Sequence, residues 1–190
     1  MRRTLLGLIS ILAMAAAAQP AIAGGNANFL LGGRALDEGD WEPVDGQGVF
    51  GVTVDFGRDG WPVQLEAGMM VSGKEDEEGS FDVTGAVSEL SFGVQKVWKA
   101  DNVRPFIGGG LSAVTAEIEV DGPGGLDGEA EDTSGAVYAH GGVYWRIGSR
   151  FNIGVDVRAL FGSDLEDSGV EGDADYFQAG LLLGWGWPAE

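Results

Sequence analysis

Chemistry in this chain would have to begin at His140, its only histidine. At period two His140 shares a face with Tyr138, Tyr144 and Arg146, so it stands among hydrogen-bonding side chains on one strand. A single His makes no recognisable metal site, and the absence of cysteine removes thiolate ligands and disulfides. The glycine strings Gly108 to Gly110 and Gly122 to Gly125 invite a phosphate-loop reading. The first falls within a strand, and the second lies in an acidic stretch without lysine, so neither fits. Asp127 to Asp132 (DGEAED) lacks the regular oxygen spacing of a calcium loop; it reads as solvated charge that retains a capacity for loose divalent-cation binding. No catalytic, cofactor or metal site is expected, and His140 reads as a hydrogen-bonded interior residue.

The elements that would position these residues are strands. From Tyr176 to Trp187, the residues Phe177, Ala179, Leu181, Leu183, Trp185 and Trp187 form one apolar, aromatic-tipped face, and the other face is mostly glycine with Gln178 and Leu182. Eight such segments are expected, at about 26–35, 48–57, 61–72, 83–98, 103–118, 135–148, 151–162 and 175–187. Most reach the ~9 to 11 residues with which a tilted strand crosses a bilayer. The connections alternate long and short: 36–47, 73–82, 119–134 and 163–174 are long, whereas Arg58 to Gly60, Lys99 to Asn102 and Gly148 to Arg150 are tight. That asymmetry belongs to membrane barrels.

Charge and tryptophan follow the same polarity. Asp37 to Asp45, Glu75 to Glu78, Asp121 to Asp132 and Asp164 to Asp173 load the long connections with carboxylates. Arg58, Lys96, Lys99, Arg104, Arg146 and Arg150 gather at the short turns, together with Trp61, Trp98, Trp145, Trp185 and Trp187, which read as a membrane-interface girdle. Phe50, Phe161 and Phe177 supply a weaker belt at the opposite ends. A net charge of -19 excludes nucleic acid as a partner, because phosphate contacts need a basic surface. Residues 1–23 read as a cleaved secretory signal: Arg2 and Arg3, an apolar run from Leu5 to Ala18, and Ala21-Ile22-Ala23 before Gly24. Residues 24–190 then form one domain.

A soluble barrel also alternates apolar and polar residues, so the kind of polar face has to decide. Here it carries Gly, Ser, Gln and Arg, as in Gln64-Glu66-Gly68 and Asn152-Gly154-Asp156-Arg158, where a soluble exterior would carry Lys and Glu. The polar face therefore points inward. Arg34, Arg104, Arg146 and Arg158 share the inward parity with Asp55, Glu66, Glu89 and Asp156, so a nearly neutral interior charge network is expected in a strongly acidic chain.

The segment RPFIGGGLS (Arg104 to Ser112), the strand GGVYWRIG (Gly141 to Gly148) and the aromatic closing strand give the chain a resemblance to the eight-stranded outer-membrane barrels of the OmpA and OmpX type and the opacity-protein-like family. The resemblance implies an all-β, antiparallel, up-and-down transmembrane barrel in the bacterial outer membrane, with both termini periplasmic. Its implied partners are outer-membrane lipid and, during assembly, the insertion machinery that reads the closing aromatic, here Trp187. Three residues follow that tryptophan, a departure from the family pattern. OmpA proteins proper carry a peptidoglycan-binding domain after the barrel; none is read within residues 24–190, so no cell-wall tether is expected. Lipid A deacylases are also small barrels and use a His with a Ser two residues on, whereas Gly142 occupies that place. The expected function is an integral barrel with a filled polar interior and acidic extracellular loops, in envelope structure or surface interaction. A small passive transport barrel of the OmpW kind is the alternative, and a lipid-modifying enzyme comes third.

Overall fold

The computed structural model describes residues 24–58, 60–78, 81–122, 128–167 and 170–187. Residues 1–23, expected to be a signal segment, and the last three residues, 188–190, lie outside them, as does Asp127 in the acidic stretch. Eight long strands close into one antiparallel barrel: β1 (Gly24–Leu36), β2 (Gly46–Gly57), β3 (Gln64–Glu78), β4 (Phe81–Val97), β5 (Val103–Asp121), β6 (Gly128–Ile147), β7 (Phe151–Phe161) and, last in the chain, β10 (Tyr176–Trp187). Between β7 and β10 a small hairpin pairs β8 (Leu165–Asp167) with β9 (Val170–Gly172). Chain neighbours pair around the ring, and β10 pairs with β1 from Gly25↔Trp187 to Leu36↔Tyr176, so no edge stays open.

The strands form because apolar residues recur at every second position, and that period fixes which face meets which medium. Phe29, Leu31, Phe92, Ile107, Leu111, Val155, Val157, Leu181 and Leu183 are all exposed on the outside. An outer surface of this composition is stable against hydrocarbon and not against water. At the short turns, Gly60 and Gly148 adopt left-handed conformations (φ 88° and 64°), and Asp101 does the same with a side chain (φ 51°). Trp61, Trp98, Trp145 and Trp185 stand exposed around this end; Trp187 is half-buried, close over Gly25. Phe50 stacks on mid-strand Phe29, and nearer the opposite rim Phe161 meets Phe177 edge-on, each pair at 6.3 Å.

The register makes a depth prediction. In variants keeping one tryptophan each, Trp98 and Trp145 should be quenched most by lipids labelled near the headgroup. Stronger quenching by a mid-chain label would contradict the assignment.

Two of the expected long loops are strand for most of their length. Lys74 to Glu78 continue β3 and pair with β4 as far as Glu78↔Phe81, and β5 pairs with β6 from Val103↔Trp145 to Val120↔Gly128. The barrel wall is shorter, because β2 leaves β3 at Gly48↔Gly73 and β7 leaves β6 at Val137↔Phe161. Strands β3 to β6 therefore rise past the rim as a four-stranded blade. The EDEE run lies in β3, and Glu117 of β5 sits directly opposite Glu131 of β6, so much of the acidic charge assigned to loops decorates a sheet. Like charges facing each other weaken a pair, but backbone pairing with neighbours on both sides outweighs that cost. Lys74 answers one of the carboxylates, with its Nζ 2.8 Å from Asp76.

The other two long connections fold over the mouth. Asp37 caps the helical turn α1 (Glu38–Trp41) through the Gly39 amide at 2.8 Å, and the turn drives Trp41 and Val44 into the barrel. Trp41 Nε1 donates to the Asp173 carbonyl at 2.7 Å, and the Asp173 amide donates to Asp40 at 3.0 Å, which ties the first connection to the last. Burial raises the Asp173 carboxyl above its ordinary range against the hydrogen bond it accepts from the Asp175 amide, and the nearby Asp175, Asp40 and Asp37 carboxylates push the same way as burial. Gly85 is bare because any side chain there would collide with Val44. Beneath this lid Leu36, Val83, Val87, Val114, Ala136 and Leu160 form an apolar core inside the barrel. This end of the interior is apolar where a polar one was expected.

Candidate functional site

Below the apolar core the inward side chains meet across the lumen. Glu89 of β4 is the centre of the first group. Arg34 of β1 approaches it at 3.4 Å, Arg158 of β7 forms a closer pair with its Oε1, Ser112 donates to the same oxygen at 2.6 Å, and the Tyr176 hydroxyl donates to Oε2. Since β1, β10 and β7 stand opposite β4 in the ring, the contacts of Arg34, Arg158 and Tyr176 bridge the barrel, while Ser112 reaches Glu89 from the neighbouring β5. Gln178 receives Arg34 at 2.9 Å, and the two guanidiniums lie over the rings of Tyr176 and Tyr138 at 3.8 and 3.7 Å. Burial makes the arrangement exacting. Arg158 and Glu89 are only 1% and 2% exposed, so each charge depends on the other for the stabilisation that water would otherwise supply.

A second group lies nearer the short-turn end. His140 Nδ1 is 3.0 Å from Asp156 Oδ2, and its Nε2 faces Glu66 Oε1 at 3.2 Å without hydrogen-bond alignment. Tyr138 donates its hydroxyl to the same Glu66 oxygen at 3.1 Å, again from β6 to β3 across the lumen. Two glycines have their explanation here: a side chain at Gly108 of β5 would overlap the His140 ring, and one at Gly93 of β4 would overlap the Tyr138 hydroxyl. Beside His140 a cavity of about 20 Å³ remains, room for roughly one water molecule. Leu30, Val49, Met70, Phe106, Tyr144 and Leu182 form an apolar layer that holds this group in place.

The remaining expected members part company. Asp55 is fully buried and accepts from Asn26 Nδ2 at 2.8 Å, with no ion pair to a described cation. Arg146 donates to Asn26 Oδ1 at 2.6 Å, as does Asn152 at 3.0 Å. Arg104 and Arg146 are half-buried at the short-turn mouth and form no ion pair with a described residue, so the expected eight-residue network stops short of them. Parity places a residue inside but does not say at what height it stops being enclosed. Parity also places His140, Tyr138 and Gln178 on the inward face but does not join them to the charge network, and Tyr176 is the member it did not name.

Chemically this interior sets charge against charge. His140 is flanked by two carboxylates, and no hydroxyl nucleophile is bonded to it among the described residues. Nor do three or more His, Asp or Glu converge as a metal site among them.

No family model matches the chain, and no curated protein sequence does. Solved structures do. Ail, the attachment invasion locus protein of Yersinia pestis, in complex with the heparin analogue sucrose octasulfate, aligns over 87% of this chain and 97% of its own with a TM-score of 0.59 at 11% identity. Neisserial surface protein A aligns over 86% and 96% (TM-score 0.55, 11% identity), and a major outer membrane protein from Thermus thermophilus over 87% and 99% (0.52, 13%). The fold is that of the small eight-stranded outer-membrane β-barrels.

Proposed function

We propose that this chain is an integral outer-membrane protein whose interior is a plug and whose acidic blade is its working surface. Segment 1–23 is the export signal, and the short turns and both termini face the periplasm. The observation that carries the reading is the set of ion pairs spanning the lumen from β4 to β1 and β7 and from β3 to β6. Eight strands enclose little more than side-chain volume, and a lumen crossed by paired charges has no continuous path for solute. With no nucleophile bonded to His140 among the described residues, the chain is read as non-enzymatic. The blade's carboxylates would repel a sulfated polyanion of the kind bound by Ail, so a surface partner for this chain would be cationic, or bridged by divalent cations.

Planar-bilayer recording tests the plug. The unmutated protein should give no steady conductance of porin size, and solute uptake by liposomes should match empty vesicles. Large steady openings would overturn the reading in favour of passive transport.

A further inference from the structure

The sequence contains eleven Lys and Arg residues, and six of them, Arg58, Lys96, Lys99, Arg104, Arg146 and Arg150, line one cavity of about 490 Å³ at the short-turn mouth. No described carboxylate lines it. In a chain of net charge -19 that is a severe segregation. The described ion pairs all lie elsewhere: Arg34 and Arg158 with Glu89, His140 with Glu66 and Asp156, and Lys74 with Asp76. Clustered cations repel one another, and none of the six forms an ion pair with a described carboxylate.

The cavity is also built at its floor. Arg146 is fixed by Asn26, and its guanidinium lies over Gly186, where any side chain would collide with it. Arg104 stands near it on the inward face of β5 with its Nε buried and without a hydrogen-bond partner. Below the mouth the passage ends at Asn26, Asn152 and the buried groups above them. A blind, basic, aromatic-walled recess of this volume is a ligand pocket in size and chemistry.

We infer that this recess binds a phosphate-bearing anion. Guanidinium forks at the floor suit the paired oxygens of a phosphate, and lysine and arginine at the rim suit its remaining charge. An anionic phospholipid headgroup and a soluble phosphorylated solute share that chemistry. The site exists whichever way the barrel is inserted, so it does not depend on the proposed role.

The test uses the full barrel in phosphatidylcholine nanodiscs at low salt, with inorganic pyrophosphate as probe in calorimetry. Binding should be measurable, weaken with added salt, and fall at least tenfold in Arg104→Gln, while Arg104→Lys retains part of it. Arg104 makes no ion pair with a described residue, so its loss should leave the heat-dependent gel shift of the folded barrel intact; Arg150→Gln at the rim is the second variant should that shift be lost. A second arm replaces part of the lipid with phosphatidylglycerol and counts lipid retained after detergent extraction by mass spectrometry. Retention of the anionic lipid that drops in Arg104→Gln identifies a headgroup site; pyrophosphate binding without such retention identifies a soluble ligand. The inference is overturned if the unmutated protein binds neither probe, or if Arg104→Gln and Arg150→Gln bind both as well as it does.

Discussion

Glu89→Ala should cost the barrel about 3 to 5 kcal/mol or more, because two buried guanidiniums lose their common anion at once. Arg34 and Arg158 both face that carboxylate across the lumen, and neither has another carboxylate within reach among the described residues. Arg158→Ala should cost less, since Glu89 keeps Arg34, Ser112 and Tyr176. Removing both partners together should cost less than the sum of the single losses, the mark of a coupled pair. Glu75→Gln, an exposed change on the blade, should stay within about 0.5 kcal/mol. Urea unfolding in lipid vesicles measures all four. Similar small losses at Glu89, Arg158 and Glu75 would mean that the interior is hydrated and its charges independent.

On the outer face the expected large effect has the opposite origin. Leu181 is 60% exposed and sits in register between Leu31 and Val155, which face outward beside it. Leu181→Arg should cost about 2 to 4 kcal/mol if that row lies near the bilayer midplane, and Phe161→Arg, close to the rim, only about 0 to 1 kcal/mol. The comparison separates hydrocarbon from water as the outer medium. In a soluble barrel both changes would be mild, and equal small costs in vesicles would refute the membrane register.

The fold was legible because one physical rule, alternation, governs every strand, and the tight turns announce themselves by glycine and charge. What composition misjudged was the blade. Acidic, glycine-rich stretches such as 73–82 and 119–134 have poor strand propensity, yet their described residues are hydrogen-bonded to neighbours that continue past the rim, and pairing overrides propensity. Trp41 and Val44 were unreadable for a different reason. Their burial depends on a helical turn folding back into the mouth, a contact with no local signature. For the interior, parity names a face, as for Glu66 and Asp156, but not the partner across it. That His140 stands between them follows only once β6 is known to face β3.

The seam between β1 and β10 sets a schedule. Every other wall contact joins strands that follow one another closely in the chain, but Gly25 must wait for Trp187. Closing so long a loop carries its entropy cost before any seam hydrogen bond forms, and topologies dominated by such distant pairings fold slowly. Until β10 docks, β1 and β7 both present unpaired backbone edges beside an apolar outer face, which is a template for aggregation. The finished ring has nowhere to begin unravelling; the unfinished one has two places to go wrong. Survival between synthesis and membrane is therefore a matter of time, set by how long those two edges stay covered before the last strand arrives.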